Sequence, residues 1–104
     1  MPTVETRIPT AVKAQVNDNM LTVELSDGRA ISAPVAWYPR LVHGTSAERD
    51  NWRLIGGGRG IHWPALDEDI SVENLLAGKP SGESHTSLKK WLEQRSSANG
   101  QRGA

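Results

Sequence analysis

The residues with the most evident chemical potential are His62, Asp67 and Asp69. Imidazole and carboxylate oxygens together suit a divalent cation, and His62, next to Trp63, is placed as a general base could be. Simpler readings compete with both. Asp67, Asp69 and Ser71 copy the opening of a calcium-binding loop, yet Val72 stands where the sharp turn of such a loop demands glycine. The same carboxylates suit the positive end of a helix dipole. His62 has no serine nucleophile at a recognised spacing, and the chain has no cysteine, hence no disulfide framework, thiolate metal site or Cys nucleophile. No catalytic residue, metal-ligand set or cofactor is therefore assigned. His43 and His85 fall in turn-rich or polar segments and read as solvated.

The run Gly56-Gly57-Gly58-Arg59-Gly60 invites a phosphate-loop reading, but neither Lys-Ser nor Lys-Thr follows and no long helix starts there. It reads instead as a hairpin turn, in which glycine supplies positive φ angles.

Charge layout says more. The twelve basic and twelve acidic residues cancel, so net charge does not favour nucleic acid. They are nevertheless segregated: −2 over residues 1–28, +3 over 29–65, −4 over 66–78 and +3 over 79–104. Arg29, Arg40, Arg49, Arg53 and Arg59 suggest a face that grips carboxylates or phosphates, since guanidinium binds both in bidentate fashion. The alternative is pairing within the chain to Asp67, Glu68, Asp69 and Glu73. Four tryptophans with no phenylalanine are the second compositional oddity. Trp52 and Trp63 are expected in the core, and Trp37 and Trp91 at an interface, where tryptophan is enriched. The expected partner-binding set is Trp37, Arg40, Arg49, Arg53, Arg59 and Trp91. Gly28, Trp52, Trp63 and Ser71 are expected to serve structure.

These side chains need short elements to position them. A strand is expected through Ala14–Val16, then a turn at Asn17-Asp18-Asn19. Met20–Leu25 alternates Leu21, Val23 and Leu25 against Thr22 and Glu24, the period of a half-buried strand. A three-residue loop with Gly28 left-handed would set Val23 opposite Ile31 and Leu21 opposite Ala33, keeping apolar side chains on one face. Pro39 suits the first turn of a helix through Arg40–Val42. Gly44 can end it, and Thr45 with Glu48 has the form of a capping box. Trp52–Trp63 reads as a hairpin that pairs Trp52 with Trp63, Arg53 with His62 and Leu54 with Ile61, the tryptophans and Leu54–Ile61 on one side. The acidic run Asp67–Asp69 leads into a helix capped by Ser71, stapled by Ile70 and Leu75, and ended by Gly78 and Pro80. A last amphipathic helix carries Leu88, Trp91 and Leu92 on one face.

At 104 residues the chain has room for one core. The expected organisation is an N-terminal arm over residues 1–13, a single domain over 14–95 and a disordered tail over 96–104. The fold class is α+β, a small antiparallel sheet of hairpins with two to four short helices. No signal-like or membrane-length apolar run is visible, which points to a cytoplasmic protein with no membrane role.

The string DGRAISAPVAWYPRL, then NWRLIGGGRGIHWPALDEDISVENLLAG, then PSGES with SLKKWL, resembles the bacterial domain of unknown function 2442 (DUF2442) from about Met20 to Leu92. The resemblance implies a small α+β domain with an antiparallel sheet. It transfers no catalytic residue. Relatives encoded beside another small protein, as in toxin–antitoxin pairs, imply an interaction module with a small protein partner, antitoxin-like, and leave room for a homodimer. A nucleic-acid-binding or regulatory module using the arginine face with Lys89, Lys90 and Arg95 is the second expectation. A small metal-dependent enzyme around His62, Asp67 and Asp69 is the third.

Overall fold

The computed structural model describes residues 8–103, with side chains through Ser96. It is α+β, with two three-stranded antiparallel sheets and four α-helices. The arm expected over residues 1–13 lies largely outside the described residues, as do the side chains of the expected tail beyond Ser96.

The first sheet is a meander of β1 (Ala11–Val16), β2 (Met20–Leu25) and β3 (Ala30–Pro34). β1 begins three residues before the strand read from the sequence, because a bulge between Ala11 and Lys13 interrupts its alternation. The Asn17 carboxamide accepts from the backbone N–H groups of Asn19 and Met20, each at 2.8 Å, and closes the first turn. The second turn follows the expected register, with Leu21 opposite Ala33 and Val23 opposite Ile31. Gly28 has a φ of +91° there, where a side chain would be strained. Leu21, Val23 and Leu25 are consequently buried together.

Beyond Pro34 a 3-10 turn leads into two separate short helices, α1 (Pro39–Val42) and α2 (Ser46–Asp50). The Thr45–Glu48 capping box is fully formed: the Glu48 N–H donates to Thr45 Oγ1 at 3.1 Å, and the Thr45 N–H to Glu48 Oε1 at 2.9 Å.

β4 (Arg53–Ile55), β5 (Gly60–Trp63) and β6 (Glu68–Ser71) build the second sheet in that order. Arg53 pairs with His62 and Leu54 with Ile61, as the glycine turn implies. A Cβ on Gly58 would come within 2.9 Å of the Ala11 carbonyl, so the turn lets the start of β1 lie directly against it. β6 corrects the sequence reading. Glu68 and Asp69 belong to a strand in which Asp69 pairs with His62, while the helix starts at Val72, directly after the expected Ser71 cap.

α3 (Val72–Leu76) is capped by Ser71, whose Oγ accepts from the Asn74 N–H at 3.0 Å. It ends in a Schellman motif: Gly78 N–H donates to the Leu75 carbonyl and Lys79 N–H to that of Asn74. α4 (His85–Gly103) then lays Trp91 on the core, with Leu88 and Leu92 beside it. Trp63 is fully buried within the core, its indole N–H donating to the Arg49 carbonyl at 3.0 Å. Removing a side chain of that size from water stabilises the fold by roughly 4–6 kcal/mol.

Candidate functional site

The five arginines expected to share one face are divided by the fold. Arg49 is buried, and the reason lies at the end of α1, whose last carbonyls have no further helical turn to donate to them. The Arg49 guanidinium donates to the carbonyls of Leu41 at 2.8 Å and Val42 at 3.1 Å, and pairs with Asp18 at 2.8 Å. It fastens α2 to the end of α1 and to the β1–β2 turn, and offers nothing to a partner.

Arg40 is engaged as fully. Its fork grips Glu83, with Nε at 2.8 Å from Oε1, and its Nη1 donates to the Asp67 carbonyl at 2.9 Å. Asp67 takes a φ of +51°, which an aspartate tolerates better than most residues, and thereby presents that carbonyl. Arg40 also lies 5.0 Å from the centroid of the Trp91 ring, and Arg95 lies 4.7 Å from it while gripping Glu48 with Nη1 and Nη2. Trp91, expected at an interface, is instead a buried anchor that holds α4 to the domain through two cation–π contacts. Hydrogen bonds from Arg40 hold the Glu83 carboxyl below its ordinary range, and Arg95 does the same for Glu48. Glu83 was not singled out by sequence, and neither Glu48, read as part of a capping box, nor Arg95, read with the basic residues of the last helix, was matched to its partner. Their partners stand 43 to 47 residues away, and no local signal links them.

Trp37 and Trp52 are both half-buried against the core. Arg29 is tied to Asp27 inside its own turn at 2.8 Å. The sequence cluster of His62, Asp67 and Asp69 does not assemble. His62 Nδ1 contacts Asp69 Oδ1 across the β5–β6 pair, whereas Asp67 faces Arg40. Among the described residues no three histidine or acidic side chains are arranged to hold a metal ion.

Arg53 and Arg59 remain exposed, and neither has a carboxylate partner among the described residues. They flank Leu54 and Ile55, which are 39% and 38% exposed. Leu54 was expected on the core side of the hairpin. It keeps its register with Ile61, but β4 is the outer strand of its sheet and reaches past the part of the core that covers Ile61. All three residues of β4 are exposed, and among the described residues its outer backbone edge pairs with no strand. Such an edge is a template for another extended chain. The candidate site is therefore this strip, Arg53-Leu54-Ile55 with Arg59 across the turn. No helix among the described residues is long and apolar enough to cross a membrane.

Comparison with known proteins agrees with this architecture. A protein of unknown function from Rhodospirillum rubrum is similar to the chain at 27% identity and a TM-score of 0.63, covering 72% of this chain and 93% of that one. An uncharacterized protein from Chromobacterium violaceum shares the fold at a TM-score of 0.61 and 18% identity, covering 78% of this chain and 74% of that one. No curated protein matches the sequence. The profile of the family described as "Protein of unknown function (DUF2442)" matches residues 10–81, from the start of β1 across both sheets to the segment that follows α3, and the chain belongs to that family.

Proposed function

We propose that this protein is a non-enzymatic interaction module that receives an extended, acidic segment of a small partner protein along β4. One observation carries the reading: a sheet edge with two exposed apolar residues is bracketed by two arginines that have no carboxylate partner among the described residues. Strand addition would satisfy the unpaired backbone groups. Carboxylates on the incoming segment would satisfy Arg53 and Arg59, which gives the partner its charge. In this reading the partner is encoded beside the protein, which acts in the cytoplasm as the antitoxin-like half of the pair.

The test is a tagged capture from the native host after nuclease treatment, with light scattering of the eluate. The wild-type chain and an Arg53→Glu/Arg59→Glu variant are run in parallel. The expected result is one stoichiometric small protein that copurifies with the wild type and is lost from the variant. A partner retained by the variant refutes the surface. A bare chain that instead shifts nucleic acid at low salt, and loses it steeply as salt rises, refutes the protein-partner reading altogether.

A further inference from the structure

A concavity of about 140 Å³ opens where the segment following α3 passes Tyr38 and β6. Glu68, Asn74, Lys79 and Ser81 line it with Tyr38, and the Ser81 N–H, donating to the Trp37 carbonyl at 3.0 Å, holds its rim in place. Two features set it apart from an ordinary surface dent. Tyr38 is 3% exposed, and its hydroxyl has no hydrogen-bond partner. Buried polar atoms are nearly always paired, so an unpaired one asks for an explanation. Beside it lies a half-buried carboxyl, Glu68, which forms no ion pair among the described residues.

The volume is well below the roughly 300–1,000 Å³ of pockets that enclose a drug-sized ligand. It suits one small head group or the end of one side chain. The charges around Glu68 indicate its sign. Arg40, on α1, is already gripped by Glu83 and by the Asp67 carbonyl. Asp69 lies next to Glu68 on β6, Glu83 faces it from the approach to α4, and Lys79 stands exposed at the mouth. Counted together, Glu68, Asp69 and Glu83 outnumber Arg40 and Lys79 by one, so a further cation is favoured there.

We propose that this cleft binds a primary ammonium group, with the Glu68 carboxylate as counter-ion and the Tyr38 hydroxyl oxygen as a second acceptor. The Tyr38 O–H then donates to the other Glu68 oxygen, and Asn74 or Ser81 supplies the third acceptor. A free amine and the side chain of a lysine share this chemistry. The inference is independent of the β4 edge.

The site has a built-in signature. Burial pushes the Glu68 carboxyl up to about 7, Arg40 pulls it down, and Glu83 and Asp69 push it further up. Below that value an arriving ammonium must displace the proton: the O–H bond of the carboxyl breaks, an ion pair forms and H⁺ leaves to solvent. Affinity therefore rises about 20-fold from pH 5.5 to pH 7.5 and then levels off.

The experiment is an NMR titration of the full chain, observing the Tyr38 ring and the Glu68 side-chain carboxyl carbon. The probes are n-butylamine, n-butanol as its neutral counterpart, and Nα-acetyl-lysine methylamide. The expected result is saturable binding of an amine with the stated pH dependence, a lowered midpoint for Glu68 titration, no effect of butanol, and loss of binding in Glu68→Gln. Binding of butylamine identifies a site open to free amines, and binding of the lysine amide alone identifies a peptide lysine as the occupant. Either supports the proposal. Equal shifts with butanol, pH-independent binding, or an unmoved Glu68 midpoint overturn it. So does binding that appears only in Lys79→Met, because Lys79 would then be filling the cleft itself. Tyr38→Phe, which removes only the unpaired hydroxyl, is expected to weaken amine binding and keeps the test decisive if Glu68→Gln misfolds.

Discussion

The helical flank and the β4 hairpin each carry arginines, and the two regions use them in opposite ways. Arg40, Arg49 and Arg95 each meet a carboxylate and a backbone carbonyl, at 2.5 to 3.5 Å, and two of them also lie over Trp91. Arg53 and Arg59 meet none among the described residues and stay exposed. Charge is the same in both places, so the difference is made by what the backbone leaves unsatisfied nearby. Very short helices expose carbonyls that a buried guanidinium can satisfy. A closed hairpin pairs its own backbone inward and leaves its outer charges free. Arginine next to short helices therefore tends toward structure here, and arginine on the outer hairpin toward recognition.

The sharpest way to break this contrast is at Arg49. Arg49→Ala removes three hydrogen-bonding partners at once, taking the guanidinium donor from the Val42 carbonyl and leaving the Leu41 carbonyl with only the Gly44 N–H. It is expected to cost on the order of 2–4 kcal/mol in urea unfolding. Arg49→Lys should recover only part of this, since an ammonium cannot reproduce the fork. A loss below about 1 kcal/mol would show that the α1 carbonyls find water instead. Trp91→Ala follows, at about 2–3 kcal/mol, through lost burial and two lost cation–π contacts. Hydrogen exchange in α4 should rise with it; unchanged protection there would detach Trp91 from the anchoring role.

The pH response separates the carboxyls gripped by the helical-flank arginines from Glu68 on β6. Glu48 and Glu83 have depressed folded values, so their contribution is present above the unfolded value of 4.5 and is lost as pH falls through the folded ones. Glu68 has the opposite sign. Its unfolded form ionises near 4.5 and its folded form near 7, so its burial begins to cost stability above pH 4.5 and reaches full cost above about pH 7. Discounted for its partial exposure, that cost is about 1–2 kcal/mol. Glu68→Gln should therefore match the wild type at pH 4.5 and exceed its melting temperature at pH 8. Equal curves at both pH values would place Glu68 in water.

How far these features could be read from sequence depended on range. The β2–β3 register was legible because Gly28 and the alternation of Leu21, Val23 and Leu25 lie within a few residues of the turn they specify. The Thr45 and Ser71 caps were legible for the same reason. β6 was not, because Glu68 and Asp69 are poor strand formers and also suit the start of a helix. Only pairing to β5 makes them a strand. The site divides similarly. Arg53 and Arg59 stand in the sequence as candidates, but the neutralising of Arg40 by Glu83 and of Arg95 by Glu48 depends on contacts between segments far apart in the chain. The Trp91 assignment failed on that point, since an exposed amphipathic helix and a docked one have the same periodicity.

The smallest expected effect is the most informative about function. Arg53→Glu with Arg59→Glu should change unfolding stability by no more than about 0.5 kcal/mol, because exposed side chains without partners contribute little to the fold. Thermal melts check this directly. A neutral outcome, set against the large loss at Arg49, gives the β4 hairpin arginines no structural reason for their identity and leaves recognition as the property that distinguishes them. A loss comparable to that of Arg49→Ala would mean that these two arginines also hold the fold together, and the contrast between the two regions would collapse.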